Sequence, residues 1–339
     1  MGGHYNPVSR ICAETGDWIG LRDDPEPGRQ YQFLILTDQS MKGTTMNRKH
    51  LFSLGLAMML CIGSAFAQTS YSFQTLNYPG DTFTQLLGIN NSGDIAGYHG
   101  VAVNQGFTYS TKNQAFTNEN YPKSAMTQVI GINNEPFKTS GFYVLKSGKT
   151  EGFTDYQGNF TTINYPKTAF NQLLSQNDFG QAAGYYSSKA NGAQPWHPYI
   201  VDEKGGLTFL LITLPNIVSA QATGINNSGD VCGFGFDANG GMHGWLLVKG
   251  TYTQLDDPNG VGATQALGLN NNGQVVGSYT DGSGNSHGFV YNVSANSWQT
   301  IDDPAGIGST VVNGLNDKGV LVGFSGVSPI NNGFVAVPQ

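Results

Sequence analysis

Two short patterns recur six times along this chain, and they keep step with each other. The first is a Thr/Leu/Ile-rich stretch ending in proline: FQTLNYP at Pro79, ENYP at Pro122, FTTINYP at Pro166, LLITLP at Pro215, YTQLDDP at Pro258 and WQTIDDP at Pro304. The second is an apolar–Asn–Asn–x–Gly turn with Asn90, Asn133, Asn177, Asn226, Asn270 and Asn316 in register. The prolines are spaced 43, 44, 49, 43 and 46 residues apart, and the asparagines 43, 44, 49, 44 and 46. Two anchors that drift together mark a true repeat. Each unit then buries its apolar face against its neighbours rather than in a core of its own.

The copy from Ala263 to Phe289 shows most of the unit. TQALGLN (Thr264–Asn270) alternates as a first strand, a, and Asn271-Asn272-Gly273 supplies the positive-φ positions of a tight turn. QVVGSY (Gln274–Tyr279), HGFVYN (His287–Asn292) and WQTIDD (Trp298–Asp303) follow as strands b, c and d. Pro304 cannot donate to a ladder and closes the last. Four strands in about 45 residues, repeated radially, predict an all-β, six-bladed β-propeller of four-stranded blades. The chain opens on a lone strand d (Ser72–Tyr78) and ends after a strand c (Gly333–Pro338). The N-terminal strand is therefore expected to complete the last blade and leave few open edges. An open solenoid is the rival; it would need polar caps, and the sequence shows none.

Gly97, Gly141, Gly184, Gly233, Gly277 and Gly323 share one position in strand b, where a missing side chain would let the next blade approach. Cys232 stands where other copies have Ala96, Val276 and Val322, so it reads as a small buried hydrophobe.

The pattern Gly-Ile-Asn-x-x-Gly…Gly-x-Tyr…His-x-Phe, across residues 71–339, resembles the bacterial extracellular repeats of the HAF family. This chain writes the last element His243-Gly244-Trp245 and His287-Gly288-Phe289, with His197-Pro198-Tyr199 as a looser copy. Repeat 2 replaces the turn glycine with Glu135-Pro136, and repeat 3 has Ser175-Gln176 for Gly-Ile. The resemblance implies export and a propeller-like fold, and no particular activity.

Met46-Asn47-Arg48-Lys49-His50, the apolar Leu51 to Ile62 and the small-x-small Ala65-Phe66-Ala67 form a signal-peptide pattern at 46–67. A membrane anchor is the rival, but the apolar run is short of the ~20 residues a bilayer needs. Residues 1–45 read as a disordered, non-native upstream extension, with the true start at Met46 or Met41. Residues 68–339 then form a single propeller domain, secreted or periplasmic. That chain holds no Arg and one Cys, and the whole sequence carries a net charge of −7. Nucleic-acid binding is excluded on this balance, and no intramolecular disulfide is available.

In a propeller the d→a and b→c loops share one face. They vary most here, which places a ligand there. The candidates are Tyr78, Tyr121 and Tyr165 beside the prolines, Trp196 and His197 after the longest b→c loop, and Asp257 and Asp303. The plainer reading is that residues before proline cap turns. Gln85, Gln128, Gln172, Gln221 and Gln265 open strand a, with Val311 in the sixth copy, and could converge at the channel mouth. Trapped water or mutual bonding is the plainer account.

The three histidines do not predict zinc, because strand c lies about 9–10 Å outside strand a and its neighbours are far apart. Gly284-Asn285-Ser286-His287-Gly288 lies in a hairpin rather than at a nucleophile elbow. Gly148-Lys149-Thr150 lacks the first glycine and the helix of a phosphate loop. The sequence thus predicts a monomeric, non-catalytic binding or structural module without a cofactor, recognising a polysaccharide or surface polymer. Its rivals are a hydrolase or lyase using carboxylates or His on the same face, and a cell-surface protein-interaction scaffold.

Overall fold

The structure, a computed structural model, describes residues 68–339 apart from 135–136, 307 and 327–328. The expected extension at 1–45 and signal peptide at 46–67 lie outside the described residues. No helix among the described residues is long and apolar enough to cross a membrane.

The described chain is all β. It opens with β1 (Tyr71–Thr75) and then runs in sets of four. The first set is β2 (Thr84–Ile89), β3 (Ile95–His99), β4 (Gln105–Ser110) and β5 (Ala115–Asn118). The second is β6 (Met126–Ile132), β7 (Thr139–Val144), β8 (Thr150–Tyr156) and β9 (Asn159–Thr162). Next come β10 (Phe170–Gln176), β11 (Gln181–Ser187), β12 (His197–Asp202) and β13 (Thr208–Leu211). They are followed by β14 (Ser219–Ile225), β15 (Val231–Phe236), β16 (Met242–Val248) and β17 (Thr251–Leu255). The fifth set is β18 (Thr264–Leu269), β19 (Gln274–Thr280), β20 (Ser286–Asn292) and β21 (Ser297–Ile301). The chain closes with β22 (Thr310–Leu315), β23 (Leu321–Ser325) and β24 (Asn332–Pro338).

These strands form a β-propeller of four-stranded antiparallel blades. In place of the expected six blades as separate sheets of four strands, the structure has four four-stranded sheets and one of eight strands, β6–β13. The cause is local. Phe170 already belongs to β10 and pairs in parallel with Thr150 at the start of β8, which joins the inner strand of one blade to an interior strand of the blade before it. The equivalent contacts Phe83↔Asn331, Met242↔Ala263 and Ser286↔Ser309 stop at isolated bridges. The first strand pairs antiparallel with the last, from Tyr71↔Pro338 to Thr75↔Phe334, so the outer position of the last blade is filled by the N-terminus. Strand d of repeat 5 ends at Ile301, short of the expected Asp303, because Asp302 and Asp303 leave the ladder before Pro304.

Each core cluster is shared by consecutive blades. Cys232, Leu246 and Leu255 pack with Ala266, Val275 and Phe289 of the next repeat. Val322 of the last repeat packs with Leu86, Ile95 and Phe107 of the first, closing the circuit. Cys232 is fully buried, and burial pushes its thiol up to about 12.

The strand-b glycines need a different explanation from the expected one. A Cβ at Gly97, Gly141, Gly233, Gly277 or Gly323 would strike the carbonyl of its own blade's inner strand and the aromatic ring on strand c. Phe107, Phe153, Trp245, Phe289 and Phe334 are those rings, all buried. The approach of the next blade occurs instead at the Gly of Gly-x-Asn. A Cβ at Gly88 would lie 2.5 Å from the Ile130 carbonyl oxygen, at Gly268 2.8 Å from that of Asn313, and at Gly314 2.6 Å from that of Leu87. Overlap at such distances cannot be relieved by rotating a side chain, which explains the glycine.

Candidate functional site: the axial channel and its two ends

The inner strands β2, β6, β10, β14, β18 and β22 pack each on the next, and β22 returns to β2. They enclose a cavity of about 460 Å³.

One end is made by the a→b turns, and there the repeated asparagines form two closed rings. In the first, the side-chain amide of each Asn donates to the backbone carbonyl of its counterpart in the following repeat. The bonds run Asn90 to Asn133 (3.2 Å), Asn133 to Asn177 (3.3 Å) and Asn177 to Asn226 (3.0 Å). They continue Asn226 to Asn270 (3.3 Å), Asn270 to Asn316 (3.1 Å) and Asn316 back to Asn90 (3.0 Å). Each Oδ1 meanwhile accepts backbone N–H groups within its own turn, as Asn270 does from Asn272 and Gln274. Asp could not donate the inter-repeat bond, and Gln would not close the turn, so the chemistry demands Asn.

The second ring uses the next residue. The backbone N–H of Asn91 donates to Asn134 Oδ1, Asn134 to Asp178, Asp178 to Asn227, Asn227 to Asn271, Asn271 to Asp317 and Asp317 to Asn91, at 2.7–2.9 Å. Its two carboxylates, Asp178 and Asp317, are three repeats apart. Each also accepts two amides: Asp178 from Asn134 and Asn227, Asp317 from Asn91 and Asn271.

Midway along, every inner strand carries a β-bulge, between Leu86/Gly88, Val129/Gly131, Leu173/Ser175, Ala222/Gly224, Ala266/Gly268 and Val312/Gly314. A bulge re-aims the extra residue, and those residues line the channel as Leu87, Ile130, Leu174, Thr223, Leu267 and Asn313. The result is a mainly aliphatic waist.

At the other end Gln85, Gln128, Gln172 and Gln221, named above as channel-mouth candidates, line the channel. Gln265 has the same register without lining it. The four lining glutamines oppose Tyr98, Phe142, Tyr185 and Phe234 across the a–b ladder, and these aromatics line the channel as well. Gln265 opposes Ser278. Tyr98 donates its hydroxyl to Gln85 Oε1 at 2.5 Å. Sequence reasoning missed both the aromatics and the waist. The aromatics had a signal, the residue after each strand-b glycine. The waist had one too, since its residues stand two positions after the strand-a glutamines and so on the same side of the strand.

The loop-face candidates are engaged largely in bracing. The backbone N–H groups of Tyr78, Tyr121, Asp257 and Asp303 donate to Thr84, Thr127, Thr264 and Thr310 at 2.9–3.1 Å, and that of Tyr165 donates to Asn171 at 2.9 Å. Tyr78 stacks on His99 (3.6 Å), Tyr121 on Tyr143 (3.6 Å) and Tyr165 on Tyr186 (4.4 Å). Asp257 and Asp303 are 3% and 4% exposed. Their Oδ1 atoms cap turns at Asn259 and Ala305. Burial holds the Asp257 carboxyl above the usual range. Trp196 packs among Tyr185, Phe234 and Phe236, and His197 stacks on Tyr186.

Among the described residues, the other histidines brace loops with carboxylates. His287 Nδ1 meets Asp302 at 2.9 Å and its Nε2 meets Asp281 at 3.4 Å. His243 lies between Asp256 (2.9 Å) and Asp237 (3.7 Å), and His99 pairs with Asp81 at 3.0 Å. Burial lowers the His287 pKa, but Asp302 and Asp281 outweigh it and leave the imidazole raised. Among the described residues, no group of three or more His, Cys, Asp or Glu side chains is arranged to hold a metal ion.

No family model matches this sequence, and no curated protein matches it. Similarity is found among solved structures at low identity. AofleA from Arthrobotrys oligospora is 10% identical with a TM-score of 0.50, covering 82% of this chain and 90% of its own. The Aleuria aurantia lectin, described as a six-bladed β-propeller with a novel fucose recognition mode, is 8% identical (TM-score 0.47; 74% of this chain, 92% of its own). The β-propeller domain of the trilobed protease from Pyrococcus furiosus is 10% identical (TM-score 0.45; 76% and 97%). At such identity the likeness concerns the fold alone: the chain is similar in architecture to β-propellers.

Proposed function

We propose that this chain is an exported, non-catalytic binding module of the HAF type that holds a polysaccharide or another surface polymer at the loop end of its channel. The carrying observation is the channel itself. A cavity of about 460 Å³ falls within the size range of ligand sites. Its loop end offers four side-chain amides, which can donate to and accept from hydroxyls. The described lining residues include no Lys, Arg, His or Glu, and the two carboxylates among them, Asp178 and Asp317, each already accept two side-chain amides, which favours an uncharged ligand over an anionic one. In this reading the eight-stranded sheet counts as two blades, because one parallel pair joins its halves, and the ring is six-bladed.

Glycan-array and polysaccharide pull-down assays test the reading. Binding to a defined glycan, weakened at least tenfold by Gln128→Ala with Gln172→Ala, is expected; no binding across a broad panel overturns it. Export is tested separately by N-terminal sequencing of the secreted protein. The mature chain is expected to begin at Gln68, and a start further upstream overturns that assignment.

A further inference from the structure

The channel is layered, and the layering restricts what it can hold. The glutamines and the bulged residues are two positions apart on each inner strand, about 6–7 Å along the axis. Beyond the waist lie the asparagine rings. A ligand on the axis therefore meets amides, then aliphatic surface, then amides again. Leu87, Ile130, Leu174 and Leu267 are half-buried and turn their remaining surface to the cavity. The bulge that points them inward recurs in all six repeats.

One lining position departs from this pattern. Ile89, Ile132, Ile225, Leu269 and Leu315 share a register in which repeat 3 carries Gln176. Gln176 is 7% exposed, and its Nε2 has no hydrogen-bond partner among the described residues. An unpaired buried amide is costly, and a ligand acceptor in the channel would relieve it once the side chain turns toward the axis.

A polyhydroxyl chain would set its hydroxyls against the aliphatic waist. An alkyl chain would strip water from the glutamines without replacing its hydrogen bonds. An acetamido group satisfies both layers: its methyl fits the waist, while its carbonyl and N–H match side-chain amides. We propose, building on the binding reading above, that the channel selects a neutral glycan bearing N-acetylamino groups. The acetamido methyl would lie among Leu87, Ile130, Leu174 and Leu267, with its carbonyl within reach of Gln172 or Gln176.

The test uses three β-1,4-linked trisaccharides that differ at C2 alone, carrying acetamido, hydroxyl or ammonium, titrated calorimetrically into the purified protein. The acetamido trimer is expected to bind at least tenfold more tightly than the hydroxyl trimer. Leu174→Asn, which places in repeat 3 the residue that repeat 6 carries as Asn313, is expected to abolish that preference. Leu87→Ala is the second variant should the first fail to fold, and Tyr156→Ser, on a distant c→d turn, serves as the unaffected control. Equal affinity for the acetamido and hydroxyl trimers overturns the acetamido proposal and leaves the binding reading standing. Tightest binding of the ammonium trimer overturns it in favour of attraction to Asp178 and Asp317. No binding of any trimer, or of any glycan on a broad panel, overturns the binding reading itself.

Discussion

At the asparagine end of the channel every repeat hands the same hydrogen bond to the next, and two rings close with scarcely a change of residue type. At the glutamine end the same strands diverge: four copies pair Gln with an aromatic, one pairs Gln265 with Ser278, and one pairs Val311 with Phe324. A bond from one repeat to its neighbour constrains both partners, and closing the ring constrains all six. A side chain that faces the cavity constrains nobody. The contrast teaches that uniformity here records assembly, whereas divergence is where specificity can be built.

The largest effect is expected from breaking the uniform end. Asn177 accepts from Phe179 and Gln181 and donates to Gln181 and Asn226. Asn177→Leu should cost about 3 kcal/mol or more, since several buried groups lose their partners together. Urea unfolding measures this, and a loss below about 1 kcal/mol would show that the ring is incidental. Asn177→Asp, which keeps the acceptors and loses the donors, should fall between the two.

Gly277→Ala should rank next, at about 2–3 kcal/mol, because its Cβ would meet the Gln265 carbonyl and approach Phe289 to 2.9 Å. An unchanged midpoint in the same assay would contradict the close approach.

A smaller, pH-dependent effect is expected away from both ends, between the first two blades. Glu119 receives the hydroxyl of Thr139 and lies near Asp155. Burial first, and then the Asp155 charge, push its carboxyl from 4.5 up to about 7. The native state therefore holds this proton more tightly than the unfolded chain. Its stability should fall as pH rises from about 4.5 through 7, by no more than about 3 kcal/mol. Glu119→Gln should flatten that slope in denaturant titrations at pH 5 and 8, and an unaltered slope would remove the assignment.

The smallest effect belongs to the loop end. The folded-state pKa of His287 is raised above 6.5, so its contribution is full below that value and fades as pH rises through the folded pKa. His287→Gln should cost under about 1 kcal/mol at pH 6, as befits a partly exposed pair, and less at pH 9. A larger loss at pH 9 than at pH 6 would reverse the sign and refute the brace.

Much of the fold was legible because its instructions are short-range. Asn-x-Gly turns and strand-ending prolines act within a few residues, and reading them recovered the four-stranded unit, its strand order and the completion of the last blade by β1. The Gln register at the loop end was legible too, through its position after the d→a loop. Other features were decided by tertiary structure, because they depend on neighbours outside the turn or strand that carries them. A single pair, Phe170↔Thr150, fused two sheets. Backbone packing from the next blade explained Gly88, Gly268 and Gly314, whereas the strand-b glycines answered to their own blade. Asp257 and Asp303, named as ligand-face candidates with turn capping as the plainer reading, are buried turn caps. Leu87 and its counterparts, the bulged residues, become a waist only when all six inner strands stand around the axis. Sequence alone determined that the chain must repeat and close; tertiary packing decided what its centre presents to a ligand.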